Sequence, residues 1–125
     1  MISNSNVAAA EGASVGSGTF YLGRPWGSYA RVSFQNTEMS DIINSEGWRI
    51  WNEGDERIDN VSFQEYGNTG SGAEGTRASF STELSAPVEM SDVLGDYGSA
   101  YWFDASYVGS ASASTSDSTG FSCSA

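Results

Sequence analysis

Arg31-Val32-Ser33-Phe34-Gln35 and Asn60-Val61-Ser62-Phe63-Gln64 carry the same tetrapeptide, Val-Ser-Phe-Gln, displaced by 29 residues. In each copy two apolar side chains alternate with polar ones, the period-2 pattern of a strand with one face on a core. A displacement of ~20 to 50 residues is also what stacked structural repeats leave in a sequence. Two readings follow: two ordinary strands that agree by chance, or two rungs of a β-solenoid in which each coil packs on its neighbours and identical side chains stack. Between the copies lie Ile42-Ile43, Trp48 and Ile50-Trp51, then the polar turn Asn52-Glu53-Gly54-Asp55-Glu56-Arg57. Two recognisable coils are fewer than the about three that bury a continuous core. The chain is therefore expected to be part of something longer.

Outward from this middle the pattern thins. Residues 1–18 are rich in Ser, Ala, Gly and Asn, with Ile2, Val7 and Val15 as branched anchors, which fits either a flexible arm or a weak small-residue strand and turn. Met90-Ser91-Asp92-Val93-Leu94-Gly95 reads as a short helix with Ser91 as cap and Gly95 as stop. The irregular aromatic run Tyr97, Tyr101, Trp102, Phe103 and Tyr107 is suited to covering an open sheet or solenoid end. Residues 109–125 are Ser-rich and are expected to be a disordered tail, leaving residues 1–108 as the folded part.

Composition bounds the chemistry. Among 125 residues only 21 are Leu, Ile, Val or Phe, and the formal charge is -11, a pairing that by itself leans towards disorder. Four Trp, six Tyr and six Phe are the counterweight. The chain has no His, no Lys and a single Cys, Cys123, so a Ser-His-Asp triad, a Cys-His pair, the usual zinc sets and a phosphate-loop Lys are excluded within it. Chemistry must rest on carboxylates, Arg, hydroxyls or amides, and no metal or other cofactor is called for. Five Arg stand against sixteen acids without a basic cluster, which makes nucleic acid and anionic membranes poor partners, and no run of about 18 apolar residues is present to span a bilayer. Asp55, Glu56 and Asp59 miss the spacing of a calcium loop. Asn60-Val61-Ser62 is an N-glycosylation acceptor pattern, read as unmodified because it opens a predicted strand.

The chemically distinctive stretch is Tyr21-Leu22-Gly23-Arg24-Pro25-Trp26-Gly27. Pro25 fixes its own φ and limits Arg24 to extended conformations, while Gly23 is expected to bend or bulge the strand and turn the guanidinium outward. A fixed guanidinium beside an exposed indole suits a sugar acid, since its planar fork holds a carboxylate and the indole face stacks on a pyranose ring. The plainer reading is a structural Arg paired to an acid, with Trp26 in the core.

At these residues the sequence resembles a known family. Tyr21-Leu22-Gly23-Arg24-Pro25-Trp26, followed by Tyr29-Ala30-Arg31-Val32, Phe34-Gln35-Asn36-Thr37, Ile43-Asn44-Ser45, Gly47-Trp48, Trp51-Asn52, Gly54-Asp55-Glu56-Arg57, Glu65-Tyr66-Gly67-Asn68-Thr69-Gly70 and Gly75-Thr76-Arg77-Ala78, is similar to the C-terminal part of the fungal pectin methylesterases. The resemblance covers roughly residues 1–107. It implies an all-β, right-handed parallel β-helix with a short helical or irregular C-terminal cap, secreted, monomeric as the full-length protein, and acting on the methyl esters of homogalacturonan. In that family one Asp attacks the ester carbonyl, a second serves as acid and then base, Gln side chains stabilise the oxyanion, and the marker Arg holds the nucleophilic Asp.

Carried over, the resemblance gives Arg24 the active-site and substrate-binding role, Trp26 the stacking role and Trp51 a further groove position. The family's catalytic aspartates and glutamines belong to blocks upstream of this marker and have no match here. The chain alone is therefore expected to be inactive and prone to fold poorly at its open coil edge. Alternatives to a piece of the enzyme are a non-catalytic pectin-binding remnant and a purely structural solenoid fragment.

Overall fold

The computed structural model describes residues 1–96, 101–104 and 106. Two compact units divide at Pro87 and Val88. In the first, β1 (Ile2–Ser3), β2 (Asn6–Val7), β3 (Arg31–Gln35), β4 (Glu38–Met39), β5 (Ser62–Tyr66) and β6 (Ser81–Glu83) follow in chain order. One sheet has the order β1-β3-β5-β6 and a second pairs β2 with β4, every pairing being parallel. Successive passes of the chain thus lie on one another as coils of a parallel β-helix. The small-residue start of the chain is strand and turn rather than arm, because Ile2 pairs with Phe34 and Val7 with Met39.

The coil length differs from the sequence repeat. Val32 pairs with Phe63 and Phe34 with Glu65, a step of 31 residues where the tetrapeptides repeat after 29. The difference is two residues, and side chains alternate with period 2, so every side chain keeps its face. Identical side chains consequently do not stack. The slide lets Trp48 lie flat on Phe63, with centroids 4.4 Å apart and planes 11° apart, while meeting Phe34 edge-on at 5.9 Å. Glu65, two residues after Phe63, shares its inward face.

Each coil turns between its sheets at one left-handed residue: Asn4 after β1, Asn36 after β3 and Gly67 after β5, with φ of 53°, 50° and 64°. Asn tolerates this region because its short amide bonds locally, and Gly because it lacks Cβ. The amides of Asn4 and Asn36 donate to Gln35 O and Tyr66 O at 3.1 and 2.9 Å, so the corner itself propagates the stack. Asn68 adds a side-chain rung, donating from Nδ2 to Phe34 O at 3.1 Å and accepting at Oδ1 from Thr37 N at 3.0 Å.

Phe34, Met39, Ile42, Ile43, Trp48 and Phe63 form the buried core. Burying the wholly enclosed Trp48 removes on the order of 200 Å² from water, about 5 kcal/mol before entropy is counted. Within this core Glu65 is only 3% exposed. Arg77 meets it through Nε to Oε2 at 2.9 Å and Nη2 to Oε1 at 3.1 Å, and the Trp48 indole N–H donates to Oε2 at 2.9 Å. Arg77 also donates to Ser45 O at 3.1 Å and Gly72 O at 2.9 Å, tying three segments to one buried ion pair.

The second unit, taken by itself, begins with α1 (Met90–Leu94). Its N-cap is Glu89 rather than Ser91: Glu89 and Asp92 form a reciprocal capping box, which satisfies two end donors where a single serine would satisfy one. Gly95 ends the helix at φ 57°. Trp102 and Phe103 meet edge-on at 6.4 Å. Tyr97, Tyr107, the predicted tail 109–125 and Cys123 lie outside the described residues.

Candidate functional site

The marker stretch lies on the coil surface. Bridges pair Phe20 with Ile43 and Gly23 with Trp48, so three steps on one coil match five on the next. The irregularity expected at Gly23 therefore sits in the neighbouring coil, where the extra residues loop out through Gly47 at φ 71°. Gly23 instead packs on Trp48, whose ring would lie 3.5 Å from an added Cβ. Pro25 is fully buried and anchors the segment between two exposed neighbours, Arg24 and Trp26.

Arg24, Trp26 and Trp51 come together on this surface. The Arg24 guanidinium donates from Nη1 to Trp51 O at 3.1 Å and stands 4.9 Å from the centroid of the Trp51 ring. Trp26 meets Trp51 edge-on, at 4.9 Å and 78° between planes. Trp26 remains 77% exposed, which removes the reading that places it in the core. Among the described residues Arg24 has no ion pair; the two pairs found are Arg57 with Asp55 and Arg77 with Glu65. Four of its five N–H donors are left for a ligand.

Arg57, which the sequence offers only as the end of the polar turn 52–57, belongs to this surface as well. Its guanidinium stands 4.9 Å from the Trp51 centroid and donates to the backbone carbonyl of Trp26. Asp55 orients it, accepting from Nε at 3.1 and 3.0 Å and from Nη2 at 2.8 Å. These hydrogen bonds, opposed by desolvation and helped by the charge of Arg57, hold the Asp55 carboxyl below its ordinary 3.8. Arg57 adopts φ 61°, an unusual backbone for Arg, and its side chain lies against the Trp51 ring and the Trp26 carbonyl. An Asp two positions before an Arg in a glycine turn was the available signal. Arg49, counted in the sequence only as one of five cations, stands 5.6 Å from the centroid of the Tyr21 ring. Together these groups make a surface of an exposed and a half-buried indole with guanidiniums at its edge, and among the described residues no carboxylate pairs with Arg24. Among the described residues no group of three or more His, Cys, Asp or Glu is placed to hold a metal.

The pectinesterase family model matches residues 1–86. The chain belongs to the pectinesterase family. Pectinesterases of Aspergillus niger and Aspergillus aculeatus are 54% and 53% identical to it over 108 residues, which cover 86% of this chain and 32% of each relative. The chain thus spans about a third of the length of the curated relatives it matches. The solved pectin methylesterase from Aspergillus niger in deglycosylated form superposes with a TM-score of 0.66 at 40% identity, over 77% of this chain and 30% of that one. The form with an N-acetylglucosamine stub gives a TM-score of 0.71 at 40% identity, over 85% and 33%. The parallel coils described above are a segment of this pectinesterase β-helix.

Proposed function

We propose that the chain forms the cation-and-indole side of a pectin methylesterase groove, acting in hydrolysis of homogalacturonan methyl esters to a carboxylate and methanol. The observation that carries this is the exposed Arg24 guanidinium, without an acidic partner in a strongly acidic chain and fixed beside the Trp26–Trp51 pair. In the reaction Arg24 holds the attacking aspartate through its remaining donors, Trp26 stacks on a pyranose ring, and Trp51 supports both. Pectin is a wall polymer, so the reading includes an extracellular site of action, with the full-length protein acting as a monomer.

The proposal includes inactivity of the chain alone, because among the described residues no carboxylate is paired with Arg24 to act as nucleophile. Methanol release from methylated pectin by the purified chain is expected to match the blank, and clear release would overturn this part. Binding of a fully methyl-esterified oligogalacturonate, followed by Trp fluorescence, is expected to fall about tenfold or more in Trp26→Ala, the order of one lost stacking contact. Undiminished binding would overturn the stacking role.

A further inference from the structure

One motif has no part in the pectin site. Asn60-Val61-Ser62 is the sole Asn-X-Ser or Asn-X-Thr triplet in the sequence, the pattern that accepts an N-linked glycan. The expectation that it stays unmodified rests on Asn60 opening a strand, but β5 begins two residues later, at Ser62. Asn60 itself is exposed and lies in the turn that precedes the strand.

The core sets the direction of its side chain. Val61 packs against the buried cluster and Phe63 belongs to it, so the alternation of extended chain turns Asn60 and Ser62 to the opposite side. The amide of Ser62 donates to Ala30 O at 2.9 Å, which pins the backbone just past the turn to the neighbouring coil. Among the described residues no hydrogen bond engages the Asn60 side chain. Asn44 and Asn68, by contrast, donate their amides to Gly18 O at 3.0 Å and Phe34 O at 3.1 Å. Those two asparagines hold coils together, and Asn60 holds nothing.

We propose that Asn60 is a glycosylation site carrying an N-linked oligosaccharide. The donor is a lipid diphosphate-linked oligosaccharide. A bond forms between the Asn60 amide nitrogen and C1 of the first sugar, the bond from C1 to the diphosphate oxygen breaks, and the amide proton leaves with the lipid diphosphate. A glycan is bulky, solubilising and confined to the surface, and the outward turn accommodates it with no coil displaced. The half-buried Ser62 is needed only while the chain is still extended, before β5 pairs with β3. The inference rests on the extracellular reading above, because such donors are met on the secretory route.

The test expresses the full chain behind a yeast secretory leader as wild type, Asn60→Gln, Ser62→Ala and Ser62→Thr, and treats each with peptide N-glycosidase F. Wild type and Ser62→Thr are expected as a heavier band that collapses on treatment, with Asn60 converted to aspartate in the peptide mass spectrum. Asn60→Gln and Ser62→Ala should run at the collapsed position without treatment. With one triplet in the chain, each shift reports on Asn60 alone. The urea midpoint of the glycosylated chain should match that of Asn60→Gln, since the side chain supports no contact. An unshifted wild type, a shift that survives Asn60→Gln, or a glycan that lowers the urea midpoint would overturn the proposal. An unglycosylated wild type that still binds the methyl-esterified trimer removes the glycan and leaves the pectin reading in place, whereas a glycosylated chain that fails to bind removes only the pectin reading.

Discussion

Replacing Arg77 by Met should be among the most damaging single changes in the coil stack. Glu65 and Arg77 side chains are 4% and 14% exposed, so removing the cation leaves a desolvated carboxylate with the Trp48 N–H at 2.9 Å and the Asn68 amide at 3.4 Å as its remaining donors. It also strips the carbonyls of Ser45 and Gly72 of their donors. Breaking a buried pair from one side costs about 3–5 kcal/mol, a large part of the ~5–15 kcal/mol that holds an ordinary domain together. The assay is urea unfolding followed by Trp fluorescence, with Trp48 reporting at the pair itself. With a slope of ~1–3 kcal/mol per molar urea, the midpoint should fall by about 2 M or the variant should be unfolded without denaturant. Glu65→Leu combined with Arg77→Leu should recover part of the loss, because no charge is then buried alone, but not all of it, because the two carbonyls stay orphaned. A loss below about 1 kcal/mol in Arg77→Met would refute the claim that this pair ties the coils. The consequence reaches the site, since Trp48 backs Gly23 and thereby the Arg24 backbone.

The remaining predictions concern single positions. Gly47→Ala should cost about 1–3 kcal/mol in urea unfolding, since φ is 71° and the new Cβ would lie 2.8 Å from Arg77 Nε; combined with Arg77→Met its effect should be less than additive. Trp26→Ala should leave the unfolding midpoint within about 0.5 kcal/mol of wild type, because Trp26 is 77% exposed, so any binding loss there belongs to the ligand. Asp55, held below 3.8 by Arg57, should titrate by carboxyl-carbon NMR with a midpoint under that value and return to about 3.9 in Arg57→Gln. Because its folded value is depressed, the pair's contribution is complete above the ordinary value and lost as pH falls through the folded one. A midpoint at or above 3.8 would contradict the geometry.

Alternation and a repeat near 30 residues are local signals that made a solenoid one of two open readings, and the family resemblance supplied the parallel coils and the place of Trp51 beside Arg24 and Trp26. Register was not legible. The 29-residue repeat and the 31-residue coil differ by two, and a period-2 pattern is blind to a shift of two; only the packing of Trp48 on Phe63 and the partners of Glu65 decide between them. The loop-out through Gly47 was likewise misplaced to Gly23, since both glycines look alike until one knows which must pass Arg77. Arg57 carried one weak signal, the Asp two positions before it, and Arg49 carried none, because nothing in a sequence separates a solvated arginine from one laid on an aromatic ring.

The most direct measurement is a ¹H–¹⁵N NMR titration of the chain with the fully methyl-esterified galacturonate trimer, observing the indole N–H signals of Trp26, Trp48 and Trp51 and the side-chain Nε–H of Arg24. The account predicts saturable shifts at Trp26, Trp51 and Arg24 while the buried Trp48 signal stays in place. Shifts confined to other surfaces, or no saturable change at these three residues, would contradict a carbohydrate site built on Arg24.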